Sequence, residues 1–428
     1  MVENIENAFI TNLYIDHVRH LKNIKIPFRE GVDSTNAEKG RSHLLVTGKN
    51  GSGKTSVLDA LAAYLNDICG RDQLRQYKSI LEGQKRLLNN FGAESEKTDD
   101  YYKIRERISE YYEKVTQADS GLRASFSCNV AFLKEQYKQG NFILAYFKAN
   151  RVFEAAVSNH IEKVILKEQY SIIEDPKKDF IKYLVDKKVS QSLFQNKNEI
   201  EKADKLNKWF MNFENLLRDI FQDQNLELDF DVETFKFYIL EKGRERFDFN
   251  TMSSGYAAIL DIVVGIIMRM EKHTDGVFRF DMPGIVLIDE IETHLHYELQ
   301  KKILPFLCTV FPNIQFIVST HSAFILSSIG NAVIYDLENK VLVQDGLTDV
   351  PYEGIIAGYF NVKTLSKELQ DKFEKYKILV AKNTLSDDEL AEIQRLELYL
   401  DEIPDYLGLD IATEYKQLKL EFEAREDI

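Results

Sequence analysis

The sequence predicts an α/β fold: a mixed β-sheet core with an additional antiparallel β element, interrupted by helical insertions and followed by a helical tail. Three observations predict it. A short apolar run, His43–Thr47, leads into a glycine-rich loop and then into a stretch with helical spacing that begins at Ser56. A second apolar run, Gly284–Ile288, ends in two adjacent carboxylates. A third, Phe316–Ser319, ends close to a histidine. Buried strands that alternate with helical patterns are typical of α/β proteins.

The glycine-rich loop Gly48–Thr55 reads Gly-Lys-Asn-Gly-Ser-Gly-Lys-Thr, a complete Walker A motif. In such a loop the glycines allow successive backbone N–H groups to surround phosphates, while the lysine reaches the β- and γ-phosphates. Thr55 supplies a hydroxyl to Mg²⁺. The residues predicted to contact ATP in this segment are Gly48, Asn50, Gly51, Ser52, Gly53, Lys54, Thr55 and Ser56.

The two carboxylates after the second run are Asp289 and Glu290. Asp289 is placed to hold the water shell of Mg²⁺, and Glu290 to orient or deprotonate the attacking water. An Asp-Glu pair after a strand can also serve only to cap the next helix. The upstream Walker A loop favours the interpretation as a Walker B motif with a catalytic glutamate.

Two further segments flank the Walker B strand. Ser253, Ser254 and Gly255 precede the long apolar stretch Ala257–Met268. Hydroxyls and backbone N–H groups at a helix start form an anion site, and this one cannot reach the Walker A loop of its own chain. We therefore expect it to bind the γ-phosphate held by a second protomer. His321 is expected to sense the same phosphate. Taken singly, Ser-Ser-Gly is a common helix start and His321 a candidate core histidine, but their order and spacing favour a catalytic assembly.

With these motifs in this order, the chain resembles the bacterial ABC-type ATPases related to the overcoming-lysogenization-defect (OLD), SMC and RecF groups. The likeness rests on Leu287–His296, which reads Leu-Ile-Asp-Glu-Ile-Glu-Thr-His-Leu-His, on the opening segment Phe9–Leu21, and on Leu144–Arg151. The resemblance implies an ABC-type P-loop NTPase domain that binds and hydrolyses ATP with Mg²⁺. It also implies composite sites between protomers, and hence a homodimer or a higher oligomer.

Several positions depart from the family pattern. Ile291 and Tyr297 stand where the family usually has proline. No clear glutamine fills the Q-loop position, so Asn150 or Arg151 is a candidate for that role. An arginine after a strand is, however, more often part of a surface ion pair. The two histidines of the Leu287–His296 segment belong, by the family pattern, to the D-loop near the dimer interface and not to a metal site.

Composition limits the classes of partner. The net charge of −14 argues against a protein that grips nucleic acid over a broad face. A local basic cluster keeps DNA binding open, although a solvated helix face explains it as well; its members are Lys178, Lys182, Lys187, Lys188 and Lys197. No apolar run is long enough to cross a bilayer, and the start of the chain lacks a basic signal-peptide segment, which predicts a cytoplasmic protein without a membrane partner. Three scattered cysteines predict reduced, structural thiols.

The predicted domain limits are 1–65 for the first part of the ATPase core, 66–122 for a helical hairpin insertion, 123–153 for core strands, 154–225 for an α-helical lobe, 226–345 for the remaining core with signature, Walker B, D-loop and switch histidine, and 346–428 for a helical docking or oligomerisation tail. The hairpin is predicted from helical patterns over Gln73–Asn90 and Asp99–Lys114, joined by a charged turn at Gly92–Lys97. Arg123–Phe132 and Asn141–Lys148 are predicted to form a β-hairpin.

The helical lobe is aromatic-rich. Trp209, Phe210 and Phe213 keep helical phase, which favours packing over base stacking. In the tail, Ser386–Glu389 is a capping box that predicts a helix start. The segment after His321 lacks the glutamate and Asp-x-Asp pattern of a TOPRIM nuclease, so we expect no nuclease in this chain.

This organisation resembles the stand-alone ATPase subunits of bacterial anti-phage systems such as Septu, its retron-linked form and PARIS. There a separate gene supplies the nuclease, of HNH or TOPRIM type, and ATP-dependent assembly is implied to control it. Two alternatives stay open. One is a RecF-like or SMC-like ATPase that clamps DNA, and the other is a nucleotide-dependent scaffold with little turnover.

Overall fold

A computed structural model describes residues 5, 8–28, 41–70, 72–90, 99–151, 153, 162–274, 276–344, 346–350, 354–355, 367–382, 384–401 and 409–425. The chain divides into two compact units, Met1–Asp349 and Val350–Ile428. The candidate site lies entirely within the first unit. No helix in the ranges given above is both long enough and apolar enough to span a membrane.

The first unit contains both strands and helices. Its described strands are β1 (Ile10–Val18), β2 (Leu21–Pro27), β3 (His43–Thr47), β4 (Leu122–Phe126), β5 (Ile143–Phe147), β6 (Glu227–Asp231), β7 (Lys236–Leu240), β8 (Phe247–Asp248), β9 (Gly284–Ile288), β10 (Ile314–Ser319), β11 (Ala332–Asp336) and β12 (Val341–Val343). Its described helices are α1 (Lys54–Cys69), α2 (Gln73–Asn89), α3 (Asp99–Ala118), α4 (Val130–Lys138), α5 (Phe180–Asn196), α6 (Ile200–Phe221), α7 (Ser254–Met270), α8 (Tyr297–Val310) and α9 (Ala323–Leu326).

The core is a six-stranded sheet in the order β12-β11-β3-β10-β9-β5. Five strands are parallel and β12 pairs antiparallel at one edge. Every residue of β3, β9, β10 and β11 is buried, because helices cover both faces of a parallel sheet and continuous apolar strands suit that environment. Two antiparallel sheets, β2-β1-β4 and β6-β7-β8, complete the unit. The predicted α/β class, with a mixed sheet and an antiparallel element, is confirmed.

The sheet order places three predicted motifs side by side. Strand β10 lies between β3 and β9, and all three run parallel. Their carboxyl ends therefore meet at one edge, where Ser319 is level with Val46 and Val318 is level with Ile288. Loops that follow parallel strands at such an edge are the usual place for a nucleotide site.

The predicted helical hairpin is present. Helices α2 and α3 pack antiparallel, since Tyr77 near the start of α2 meets Tyr111 in the second half of α3 with ring centroids 6.1 Å apart. Lys78 also pairs with Asp119 at 3.5 Å. Helix α3 extends four residues beyond the predicted end, to Ala118. The predicted turn Gly92–Lys97 lies outside the described residues.

The predicted β-hairpin over Arg123–Phe132 and Asn141–Lys148 is wrong. Strand β4 pairs with β1 in one sheet, and β5 pairs with β9 in another. Helix α4 separates them, capped by the Asn129 side chain, which accepts a hydrogen bond from the backbone N–H of Ala131 at 2.8 Å. Leu133 and Tyr137, four residues apart, are its buried face. The short apolar runs of β4 and β5, which flank α4, resemble the two strands of a hairpin in sequence. The sequence pattern of a strand does not reveal which sheet the strand joins.

The helical lobe consists of α5 and α6 in its described part, whereas residues 162–175 form no helix or strand; the predicted helical segment 154–161 lies outside the described residues. Trp209 is only 1% exposed and stacks on Phe213 with centroids 5.5 Å apart. The prediction that these aromatic side chains pack in the lobe is confirmed.

The second unit contains three described helices: α10 (Lys367–Val380), α11 (Asp387–Asp401) and α12 (Leu409–Glu423). They share a core that includes Tyr376, Ile393 and Tyr415. The predicted capping box is present, because the Ser386 N–H donates to Glu389 Oε2 at 2.9 Å and the Glu389 N–H donates to Ser386 Oγ at 3.4 Å.

Candidate nucleotide site

The Gly48–Thr55 loop leads from β3 into α1 and has a backbone that only glycine adopts readily. Gly48, Gly51 and Gly53 have φ angles of +134°, +85° and +100°. A Cβ on Gly48 would lie 2.8 Å from Ser52 Oγ, so a side chain there would both strain the backbone and displace Ser52. Ser52 Oγ is buried and has no hydrogen-bond partner among the described residues. Positive φ angles at three glycines are typical of loops whose backbone N–H groups surround phosphates.

Lys54 opens helix α1 and is only 5% exposed. Its Nζ donates to the carbonyl oxygens of Gly48 and Lys49, at 2.9 and 3.2 Å. Burial lowers the pKa of this ammonium group, while nearby carboxylates, first of all Glu290, act in the opposite direction. The cation of the Walker A loop thus lies within electrostatic reach of the predicted general base.

Thr55 and Asp289 meet across the site. The Thr55 hydroxyl donates to Asp289 Oδ2 at 2.9 Å, although 234 positions separate the two residues. A hydroxyl and a carboxylate are hard oxygen ligands of the kind that Mg²⁺ prefers, directly or through water. These two residues fit the predicted metal role.

Ser319, at the end of β10, forms hydrogen bonds with both Walker B acids. The sequence did not predict a role for it. Its hydroxyl donates to Asp289 Oδ1 and accepts from the backbone N–H of Glu290, the latter at 2.8 Å. The side chain is completely buried. A serine two residues before a histidine carries little signal in the sequence, because its function depends on the neighbouring strand.

His321 lies next to the same acids. Burial and the positive charge of Lys54 lower the pKa of its imidazole, while Glu290 and Asp289 oppose the shift. A lowered pKa keeps the ring neutral at neutral pH. Its Nε2 is buried and has no partner among the described residues. A buried ring nitrogen without a partner is available to a bound group such as a phosphate oxygen.

Glu292 connects the turn after the Walker B strand to the segment that contains His321. Its Oε1 accepts the backbone N–H of His321, and burial raises the pKa of this carboxyl. Sequence reasoning missed Glu292. Its one signal is its position two residues after Glu290 in a segment with several carboxylates and histidines.

Arg151 is not the surface residue that its position after a strand suggests, because it is only 3% exposed. Its guanidinium donates to the carbonyl oxygens of Asp289 and Glu290, each at 2.6 Å, and to that of Lys148 at 3.1 Å. Asn150, the other Q-loop candidate, is exposed. The Q-loop role of either residue stays a prediction.

The predicted signature element opens α7. Ser253 and Ser254 are exposed, which leaves their hydroxyls on the surface of the protomer. Gly255 is buried, and a Cβ there would lie 3.1 Å from the carbonyl oxygen of His294. The signature and the D-loop of one chain are therefore neighbours. Their action on a second protomer stays a prediction.

An open groove of about 490 Å³ runs beside the Walker A loop. It lies between that loop, the turn that joins β1 to β2 and the turn that joins β11 to β12. Its lining includes His20, Leu21, Asn50, Ser52, Glu338 and Lys340. Lys49 Nζ pairs with Glu338 Oε1 at 2.8 Å, so the loop is anchored on the last turn of the sheet.

The basic cluster, for which the sequence left both a solvated helix face and a DNA contact open, is partly paired with acidic residues. Lys187 is 9% exposed and pairs with Glu271 at 3.0 Å under the helical lobe. Lys182 pairs with Glu162 at 2.5 Å. Lys188 lies over the ring of Phe210, 5.0 Å from its centroid, and burial lowers its pKa. The cluster therefore offers phosphates less positive charge than its sequence suggests.

Comparisons with known proteins agree with the motifs. The chain is 31% identical over 194 residues to "Retron Ec83 probable ATPase" of Escherichia coli, an alignment that covers 44% of this chain and 34% of that protein. It is 26% identical over 406 residues to "Septu protein PtuA" of Bacillus mycoides (strain KBAB4), covering 92% of this chain and 50% of the relative. The chain thus spans half or less of the length of these two curated relatives.

Among solved structures, the chain is similar to one titled "Crystal structure of the SmcHead bound to the C-winged helix domain of ScpA". The match has 14% identity and a TM-score of 0.34, and it covers 79% of this chain and 95% of that one. The model of the family described as "AAA domain, putative AbiEii toxin, Type IV TA system" matches residues 44–327, a range that contains both Walker motifs and His321. The chain therefore belongs to this family of AAA ATPase domains.

Proposed function

We propose that the chain binds ATP with Mg²⁺ and hydrolyses it, with Glu290 as the general base. The observation that carries this proposal is the 2.9 Å contact between the Thr55 hydroxyl and the Asp289 carboxylate, which brings Walker A and Walker B together. In this arrangement the amides of Gly48–Thr55 and Lys54 hold the phosphates. Thr55 and Asp289 hold Mg²⁺, which neutralises charge that develops on the phosphates. Glu290 takes the proton of the attacking water.

His321 and the groove beside the loop extend this proposal. A neutral imidazole with a free Nε2 can donate or accept a hydrogen bond, which suits contact with the γ-phosphate or with the attacking water. The groove is lined by Asn50 and Ser52 of the loop and by His20 and Leu21 at the turn between β1 and β2. It has room for the nucleoside part of ATP.

We further propose that the complete site needs a second copy of the chain. Ser253 and Ser254 sit at the N-terminus of α7, where the helix dipole favours an anion, and both are exposed. A signature element that faces away from its own protomer supports contact with the γ-phosphate of a partner. A homodimer is the smallest assembly that satisfies this requirement.

The biological role that we propose is control of a separately encoded nuclease, of HNH or TOPRIM type, in a bacterial anti-phage system. The support comes from the names of relatives, "Septu protein PtuA" and "Retron Ec83 probable ATPase". In this role ATP-dependent assembly holds the nuclease inactive, or a sensed infection releases it. A DNA-clamping ATPase is less well supported, because two of the five lysines in the basic cluster, Lys182 and Lys187, are paired with acidic residues.

Residues 346–428 are proposed to be the docking or oligomerisation tail. Positions 350–428 carry 18 acidic and 10 basic residues, so they contribute −8 of the net charge of −14. Each of the three helices also exposes a large apolar side chain: Ile378 at 62%, Leu398 at 68% and Leu420 at 68%. An acidic unit with exposed apolar side chains suits a protein partner with a basic surface better than DNA.

The test is native mass spectrometry of Glu290→Gln, purified with ATP after co-expression with the flanking reading frames. The variant should retain ATP and accumulate as an oligomer, and a nuclease-like neighbour in the complex supports the defence role. A bare dimer that binds DNA would instead favour the clamping ATPase. Ser254→Arg is the matched control, since it should bind ATP yet fail to assemble. Turnover of Glu290→Gln equal to that of the wild type would contradict the general base and favour a scaffold.

A further inference from the structure

We propose that Arg151 is a positioning residue that fixes the backbone conformation of Glu290 and thereby aims its carboxylate at the attacking water. The inference rests on the proposed function, in which Glu290 is the general base. This role differs from the Q-loop role and from the surface ion pair, the two roles that its sequence position suggests.

The backbone of Glu290 needs external support. Its φ angle is +45°, in the left-handed region that is unfavourable for a residue with a Cβ. Strand β9 ends at Ile288, so the regular ladder of the sheet no longer supports this residue. Because each peptide group is planar, the φ and ψ angles of Glu290 are set by the orientation of the two peptide planes on either side of its Cα.

Both planes are held at both ends. In the plane between residues 289 and 290, the Asp289 carbonyl oxygen accepts from Arg151 Nη1 at 2.6 Å and the Glu290 N–H donates to Ser319 Oγ at 2.8 Å. In the next plane, the Glu290 carbonyl oxygen accepts from Arg151 Nη2 at 2.6 Å and the Ile291 N–H donates to the Ser319 carbonyl oxygen at 3.2 Å. Neither plane can rotate without breaking a hydrogen bond at each of its ends.

Arginine suits this task because its planar guanidinium presents two parallel donors to two acceptors at once. Arg151 is itself anchored, since Nη1 also donates to the Lys148 carbonyl oxygen at 3.1 Å just after β5. Strand β5 pairs with β9 up to Phe147 and Ile288, which brings the arginine directly beside the Walker B turn. A lysine offers a single ammonium group and cannot hold both carbonyl oxygens in the same geometry.

The experiment compares Arg151→Lys and Arg151→Met with the wild type, using full-length protein. ATP affinity is measured with a fluorescent ATP analogue, and steady-state hydrolysis gives kcat and KM for the folded, nucleotide-binding fraction. The matched control is Arg269→Met. Arg269 is 5% exposed and also donates only to backbone carbonyl oxygens, those of Leu144, Gly265 and Glu174, but it does not contact the Walker B turn.

We expect kcat to fall about 10-fold in Arg151→Lys and about 100-fold in Arg151→Met, with ATP affinity and KM within about threefold of the wild type. Arg269→Met should lower the yield of folded protein but leave kcat of the folded fraction unchanged. Arg151→Lys in a Glu290→Gln background should lower the residual turnover no further, because the arginine acts through the glutamate.

Three outcomes would overturn the proposal. One is hydrolysis within twofold of the wild type in both Arg151 variants. Another is a tenfold weaker ATP affinity with kcat unchanged, which would assign Arg151 to phosphate binding. The last is an additive loss in the Glu290→Gln background. If Glu290→Gln alone hydrolyses ATP normally, the proposed function fails first, so the two failures are distinguishable.

Discussion

Ser319→Ala tests the connection between the two Walker B acids and strand β10. The serine hydroxyl is fully buried, donates to Asp289 Oδ1 and accepts from the N–H of Glu290 at 2.8 Å. Alanine removes both interactions and leaves one carboxylate oxygen without its donor and one backbone N–H without its acceptor. A hydrogen bond to a charged group is worth about 1.5–3 kcal/mol, and a buried group left unsatisfied costs about 1–3 kcal/mol.

We therefore expect Ser319→Ala to lower the free energy of unfolding of the first unit by about 2–4 kcal/mol. Urea unfolding monitored by tryptophan fluorescence measures this directly, because Trp209 is the single tryptophan and is buried in that unit. In addition, kcat should fall about 10-fold or more, since the Glu290 N–H loses its acceptor and Asp289, the proposed ligand of Mg²⁺, is reoriented.

Ser327→Ala is the matched control. The Ser327 hydroxyl donates to the Ala323 carbonyl oxygen at 2.9 Å, within a short helix of the same unit, so its removal should cost less than about 1 kcal/mol. The reasoning is refuted if Ser319→Ala destabilises the unit no more than Ser327→Ala does. If Ser319→Ala lowers the free energy of unfolding by several kcal/mol but leaves kcat unchanged, Ser319 contributes to stability and not to catalysis.

Three further predictions follow from the site and the sheet. Lys54→Ala should abolish ATP binding in titration calorimetry, because the buried ammonium group is held within the proposed phosphate loop, where it donates to the Gly48 carbonyl oxygen. Ser254→Arg should spare ATP binding yet stop hydrolysis, because we propose that the signature acts on a partner protomer. Lower pH should destabilise the fold through His43, whose pKa burial lowers from 6.5 to about 4. Below pH 6.5, His43 is protonated in the unfolded chain but stays neutral in the folded chain until the pH approaches 4. The free energy of unfolding therefore falls as the pH drops from 6.5 towards 4, by about 2 kcal/mol at pH 5.

Each of these predictions has a result that contradicts it. Tight ATP binding by Lys54→Ala would count against the Walker A assignment, and equal loss of binding and hydrolysis in Ser254→Arg would undo the composite site. For the pH effect the control is His43→Asn, whose amide oxygen can replace imidazole Nδ1 as the acceptor for the Phe316 N–H but does not titrate. If wild type and control lose the same stability between pH 7.5 and pH 5, His43 is not responsible.

Much of this protein could be predicted from short stretches of its sequence. The Gly48–Thr55 loop is recognisable because its chemistry requires glycine at positions with positive φ, and Asp289 and Glu290 because they end a continuous apolar strand. The hairpin of α2 and α3 and the packing of Trp209 follow from helical periodicity. In each case the information lies within a few residues along the chain, where backbone geometry repeats regularly.

The remaining features depend on which elements become neighbours in space. The same kind of apolar run made Arg123–Phe132 and Asn141–Lys148 look like one hairpin, although their strands belong to different sheets. Lys187 looked like part of a basic surface, but its partner Glu271 lies on another segment and removes its charge from solvent. Ser319 and Glu292 gave little signal, since each contacts groups in the segment that follows a neighbouring strand.

Arg151 shows the physical reason most clearly. The sequence by itself determined that a nucleotide loop, two acids and a histidine are present, because each is encoded in a contiguous motif. Only the tertiary structure decided that Arg151 holds carbonyl oxygens 138 and 139 positions away, because β5 lies beside β9 in the sheet order. Strand order follows from the sum of many distant contacts, and no single stretch of sequence carries it.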